Sequence, residues 1–275
     1  MIAFPNAKIN IGLNVLNKRQ DGFHNLETVL VPIRLCDFLE IIVDDDKKKG
    51  HCDLNITGLA VAGDPDENLC LKAYHLLHTA HNLPSIKIHL HKNIPIGAGM
   101  GGGSADGAYT LKLLNNLFTI GLSDRDLQNH CRELGSDCSF FIDNSISLAI
   151  EKGDVLEPLS LDLKDYYIVI VNPSIHITTA SMYNAFNPDE SLRGHLKQMI
   201  SAPLVNWRDT IVNGFELPAF ELHPKLELIK SRLYGLGADF ASMTGSGSTI
   251  FGIFSDLPEI RDEFADCFVW QDKFK

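Results

Sequence analysis

Residues 95–106, Pro95-Ile96-Gly97-Ala98-Gly99-Met100-Gly101-Gly102-Gly103-Ser104-Ala105-Asp106, place five glycines within seven positions, directly ahead of a helical pattern. Lacking a Cβ, glycine lets backbone N–H groups turn toward an oxyanion and approach it closely. A helix start adds N–H groups with no intrahelical partner and the positive end of the helix dipole. Together these make a phosphate cradle. Two better-known phosphate loops fail on context. Gly97, Gly99 and Gly102 satisfy G-x-G-x-x-G, but a dinucleotide fold needs a second strand after the helix, ending in an acid. Here the helix is expected to run to about Phe118, with a turn at Gly121 and another helix from Ser123. No Gly-Lys-Ser/Thr closes the stretch, so it is not a P-loop. A tight strand-to-helix turn also uses glycine, but needs fewer of them.

The elements that must position this loop are readable around it. Ala108, Leu111, Leu114 and Leu117 recur at helical spacing after it, and Ser85–Leu90 alternates as a strand before it. Alternation also predicts half-buried strands at Lys8–Val15 and Phe38–Val43, with a solvated turn over 44–50. Helices are expected near Glu67–Ala80, over 179–186, 192–201 and 224–234, and from Ser123, where Asp126 completes a capping box. A strand at Tyr166–Val171 opens a second half, and a hairpin-like segment covers 241–254. Strands and helices mix without regular alternation, which favours an α+β fold over a doubly wound sheet.

The chain has 275 residues, 45% of them hydrophobic, which suits one large or two modest domains. Its net charge of −11 argues against nucleic acid or an anionic membrane as partner. Six scattered cysteines without C-x-x-C suit reduced thiols in the cytoplasm. No leader or membrane span is expected, because the longest apolar runs have strand length. The eleven histidines lack the carboxylate or cysteine partners of a recognisable metal set and read as surface or partly buried residues.

The fuller pattern, Pro95 with Gly99, Gly101, Gly102, Gly103 and Ser104 and then Asp106, resembles the ATP loop of the GHMP kinases, which phosphorylate small-molecule alcohols. Ala7-Lys8-Ile9-Asn10-Ile11-Gly12-Leu13 and Arg19-Gln20-Asp21-Gly22-Phe23-His24 narrow the resemblance to the branch whose substrate carries a cytidine diphosphate moiety. Leu134–Phe141, Asn172-Pro173, Thr179–Tyr183, Asn213–Glu216 and Met243–Ser248 follow in family order, so the resemblance spans nearly the whole chain. It implies a two-lobed α+β fold. Residues 1–155 would form an ATP-binding and catalytic lobe like domain 2 of ribosomal protein S5. Residues 156–275 would form a ferredoxin-like lobe completing the substrate site.

The resemblance also implies roles. Residues 95–105 would wrap the phosphates of ATP, with Ser104 as a magnesium ligand, and Asn68 would lie near the adenine. Lys8 and Asp137 match the two catalytic positions: Lys8 supplies charge, and Asp137 accepts or orients the hydroxyl proton. Phe23 and Tyr183 would stack on the pyrimidine, His24 would bind its edge, and Asn10 and Thr179 would add polar contacts. Each residue has an ordinary reading beside this one. A lysine on an alternating strand usually faces solvent, an aspartate after Gly-Ser caps a turn, aromatics pack cores, and Asn68 caps a helix. Three departures stand out: Phe23 where tyrosine is common, Ala105 where a second small polar residue is common, and Gly107 inside the helix. ATP and the substrate are polyanions, so the site must be locally positive despite the net charge. A kinase of the same superfamily acting on another alcohol, and a non-catalytic nucleotide-binding module, remain as alternatives. Association is expected to go no further than monomer or weak homodimer.

Overall fold

A computed structural model describes residues 1–61, 64–186, 188–260 and 263–275. In chain order the strands are β1 (Ile2–Ala3), β2 (Asn6–Lys18), β3 (His24–Cys36), β4 (Phe38–Val43), β5 (Cys52–Gly58), β6 (Ile86–Lys92), β7 (Ser147–Ile150), β8 (Val155–Pro158), β9 (Tyr167–Asn172), β10 (Phe240–Met243), β11 (Ile250–Phe254) and β12 (Phe268–Lys273). The helices are α1 (Leu69–His81), α2 (Gly102–Leu117), α3 (Asp124–Leu134), α4 (Phe140–Asp143), α5 (Thr179–Ala185), α6 (His195–Met199), α7 (Trp207–Thr210), α8 (Glu216–Leu222) and α9 (Pro224–Gly235). The fold is α+β, and among the described residues no helix is long and apolar enough to cross a membrane.

Two compact units are interleaved along the chain. The first comprises Met1–Ala7, Arg34–Ile96 and Gly101–Ser145; the second comprises Lys8–Ile33, Gly97–Met100 and Ile146–Lys275. In the first unit the sheet order is β1-β4-β6-β5, with β5 and β6 parallel and the other pairs antiparallel. Strict alternation in β6 buries Ile86, Ile88, Leu90 and Lys92 and exposes the residues between them. Gly107 is explained by packing rather than by turning. A Cβ there would stand 3.0 Å from Leu69 Cβ at the start of α1, so glycine is what lets α1 and α2 approach. Ser123 and Asp126 form the expected capping box at α3.

The second unit holds two four-stranded sheets, β2-β3-β7-β8 and β10-β11-β9-β12. Val169, Val171, Phe215, Leu226, Leu233, Met243 and Phe254 are among the side chains of its core. All six cysteines are free thiols.

Three expectations change. Helix α2 starts at Gly102, so Gly102, Gly103, Ser104 and Ala105 form its first turn. The apolar periodicity begins only at Ala108, which hid that turn. Strand β2 is buried along nearly its whole length rather than on one face, because its polar residues bond to protein rather than water. Asp44, in the turn taken as solvated, is 4% exposed and pairs with Lys87 at 3.2 Å.

Candidate active site

In the first unit, the glycine stretch leaves β6 and returns as α2. Lys92, at the end of β6, is 3% exposed, and its ammonium donates to Asp37 Oδ2 and, at 2.6 Å, to Asp106 Oδ2. Asp37 Oδ1 accepts from the backbone N–H groups of Asn93 (2.5 Å) and Ile94 (2.8 Å). One buried triad therefore ties the segment entering the glycine stretch to the helix leaving it. Two carboxylates around one ammonium leave surplus negative charge away from water. Burial pushes the Asp106 carboxyl up to about 7 against the pull of Lys92, and its Oδ1 is buried with no hydrogen-bond partner.

Gly97, Gly99 and Gly101 hold φ angles of +63°, +77° and +69°, the left-handed region that other residues rarely enter. Gly101 is the N-cap of α2 and brings no side chain to cap it, which leaves the first-turn N–H groups suited to an anion. Ser104 lies in that turn, within hydrogen-bonding reach of the Cys138 thiol, which burial pushes up to about 12. Cys138 follows Asp137, which is half-buried in the turn between α3 and α4. Cys138, Phe140 and Phe141 are buried at 0–1% exposure and anchor that turn. Asn68 is the N-cap of α1, its side-chain oxygen accepting from Cys70 N–H at 2.9 Å. The ordinary role given to Asn68, a helix cap, is therefore filled.

The second unit gathers the rest. Lys8 is not a solvent-facing lysine: it is 3% exposed, with Nζ donating to Asn10 Oδ1 at 2.6 Å and to the Gly99 carbonyl at 3.0 Å. Asn10 Nδ2 donates to Thr28 Oγ1 at 3.0 Å, whose hydroxyl donates to the Gly12 carbonyl at 2.6 Å. Gly99 passes so close to the turn after β10 that a Cβ would stand 2.1 Å from the Thr244 carbonyl oxygen.

A cleft of about 350 Å³ in the same unit is lined by Phe23, His24, Thr179 and Tyr183, with Lys18 and Lys152 beside them. The His24 and Tyr183 rings stack with centroids 4.7 Å apart, and Lys152 Nζ lies 5.3 Å from the centroid of the exposed Phe23 ring. Burial, then the charge of Lys18, holds His24 below its ordinary value of 6.5, so near neutral pH one ring nitrogen donates and the other accepts. Thr179 Oγ1 lies 3.0 Å from Ser246 Oγ, which joins a candidate substrate contact to the 245–248 turn.

Sequence reasoning named Lys8, Asn10, Phe23, His24, Thr179 and Tyr183 as catalytic or substrate residues without seeing what holds them. It missed Thr28, Asp37, Lys92 and Thr244. The only signals for these were Asp106 after the loop and the Met243–Ser248 motif; nothing local marked Asp37 or Thr28.

The GHMP kinase N-terminal domain model matches residues 68–145, and the GHMP kinase C-terminal model matches 191–269. Over the whole of both chains, the protein is 44% identical to the 4-diphosphocytidyl-2-C-methyl-D-erythritol kinase of Bacteroides fragilis (strain ATCC 25285). The chain belongs to the 4-diphosphocytidyl-2-C-methyl-D-erythritol kinase family. A relative of the same name from Parabacteroides distasonis is 42% identical over 98% of each chain. A crystal structure of 4-(cytidine 5'-diphospho)-2C-methyl-D-erythritol kinase covers 92% of this chain and 89% of its own, at 32% identity and a TM-score of 0.74. A mevalonate kinase structure, at 16% identity and a TM-score of 0.76, shares the fold. Membership of this kinase family closes the dinucleotide and P-loop readings of the glycine stretch.

Proposed function

We propose that the protein transfers the γ-phosphoryl group of ATP to the 2-hydroxyl of 4-diphosphocytidyl-2-C-methyl-D-erythritol, giving the 2-phosphate and ADP, in the non-mevalonate route to isoprenoid precursors. The hydroxyl oxygen forms a bond to the γ-phosphorus as the bond to the β–γ bridging oxygen breaks, and ADP leaves. Asp137 takes or orients the hydroxyl proton, and Lys8 places positive charge where it counts most, in the transition state. Residues 95–105 cradle the phosphates. Magnesium, when bound, neutralises charge on the β- and γ-phosphates. Ser104 suits a magnesium ligand. Among the described residues no group of three or more His, Cys, Asp or Glu could hold a metal, and magnesium favours few protein oxygens with phosphate and water. In this reading residues 1–155 supply nucleotide and catalytic groups and 156–275 complete the substrate site. The protein works in the cytoplasm as a monomer or weak homodimer.

The observation that carries the substrate assignment is the cleft at Phe23, His24 and Tyr183, where a stacked ring pair and a neutral imidazole suit a pyrimidine face and edge. The test is incubation with ATP, magnesium and each of three alcohols, the cytidyl substrate, mevalonate and homoserine, following ADP release and product mass. Phosphorylation of the cytidyl compound alone is expected. Turnover of mevalonate or homoserine instead would remove the cytosine pocket, and ATP binding with no turnover would leave a binding module. His24→Ala is expected to raise KM for the cytidyl substrate by about tenfold, as loss of one well-placed polar contact does, and to leave KM for ATP nearly unchanged. Equal effects on both would undo the assignment of His24.

A further inference from the structure

Thr244 is fully buried, and its hydroxyl stands at the centre of the contacts that hold Lys8. Its Oγ1 accepts from Asn10 N–H at 2.9 Å and lies 3.2 Å from Asn10 Oδ1 and 3.1 Å from the Gly99 carbonyl oxygen. Those last two oxygens are the ones to which Lys8 Nζ donates. Lysine and threonine therefore share a pair of acceptors, one on the strand and one on the glycine loop. The one hydroxyl proton of Thr244 is shared between these two acceptors, while Lys8 Nζ donates to both.

The backbone of Thr244 is itself immobilised. Asn213 Nδ2 donates to the carbonyls of Met243 and Gly245, both at 2.8 Å, one on each side of Thr244. Glu216 Oε1 accepts from Met243 N–H at 2.8 Å, and Thr244 N–H reaches the Thr249 carbonyl at 3.0 Å. A buried hydroxyl with three polar neighbours, on a segment gripped from both sides, does more than fill space.

We propose that Thr244, clamped by Asn213, is the positioning residue for the Lys8 ammonium. It touches no reacting atom; it acts by fixing Asn10 Oδ1 and the Gly99 carbonyl, which in turn fix Nζ. The inference rests on the proposed phosphoryl transfer for its kinetic consequence and on geometry alone for its structural one.

Thr244→Val keeps the volume and removes the hydroxyl. It is expected to lower kcat by at least about tenfold with KM for ATP changed by less than about threefold, the pattern of a misplaced transition-state group. Thr244→Ser should restore most of kcat. The second readout needs no substrate: acetylation of Lys8 by acetic anhydride, followed by mass spectrometry. The buried ammonium should be labelled several-fold faster in Thr244→Val and at the wild-type rate in Thr244→Ser. If the valine variant fails to fold, Thr244→Ala removes the hydroxyl without placing a methyl near Gly99 and carries the same expectation. Labelling of Lys8 unchanged on loss of the hydroxyl overturns the proposal, as does a kcat within twofold of wild type or a loss that serine does not restore. Wild-type protein that ignores the cytidyl substrate refutes the function instead, and the labelling result still decides the role of Thr244.

Discussion

Asp137→Asn is expected to lower kcat by about 10²–10⁴-fold and to leave ATP affinity nearly unchanged. Asparagine matches aspartate in shape but cannot accept the hydroxyl proton and carries no charge to orient it. The turn that bears the carboxylate is anchored by Cys138, Phe140 and Phe141, so the substitution should not move the backbone. Its effect therefore reports chemistry rather than folding. Steady-state kinetics with the cytidyl substrate, alongside a melting curve, measures both. A folded variant with near-normal turnover removes Asp137 from the mechanism and leaves Lys8 and the loop to carry the reaction by positioning and charge alone.

The second large effect is on stability. Lys92→Met should cost about 3–5 kcal/mol, because it leaves Asp37 and Asp106 buried around a lost counter-ion. Methionine is close to lysine in length, so the loss is one of charge rather than volume. The pH dependence fixes the interpretation. The folded-state value of Asp106, about 7, lies above its ordinary 3.8, so the stability tied to this group is full below about 3.8 and is lost as pH rises through about 7. Removing the ammonium raises the proton affinity of the Asp106 carboxyl further. The deficit in Lys92→Met should therefore be larger at about pH 8 than at about pH 5, where a proton replaces the missing charge. Denaturant unfolding at the two pH values checks this. A deficit below about 1 kcal/mol, or one that grows on acidification, contradicts the electrostatic account of the triad.

What the sequence revealed follows from how local each signal is. The glycine turn and the helix behind it were legible because glycine's freedom and a helix start are properties of adjacent residues. The capping box at Ser123 was legible for the same reason. The burial of Lys8 was not. Alternation in Lys8–Val15 is what a half-exposed strand shows, and the groups that satisfy Lys8 and Asn10 come from far along the chain. Thr244 is 234 residues from Asn10, and Gly99 is 91 residues from Lys8. The Asp37–Lys92–Asp106 triad hid likewise, since each member taken alone reads as an ordinary polar residue. Asn68 shows the reverse case: its local role as a helix cap was legible, and the structure fills it.

The Gly99 carbonyl, held by Lys8 and Thr244, has a consequence for the other side of its peptide. The Gly99–Met100 and Met100–Gly101 bonds are both trans, and the Met100 carbonyl accepts from Lys8 N–H at 3.0 Å. In a planar trans peptide the N–H points opposite to the C=O. Two carbonyls anchored toward β2 therefore evert two amides, those of Met100 and Gly101. Strand β2 thus dictates where these two N–H groups point, and in the proposed phosphoryl transfer no peptide would have to flip when charge develops on a bound oxygen.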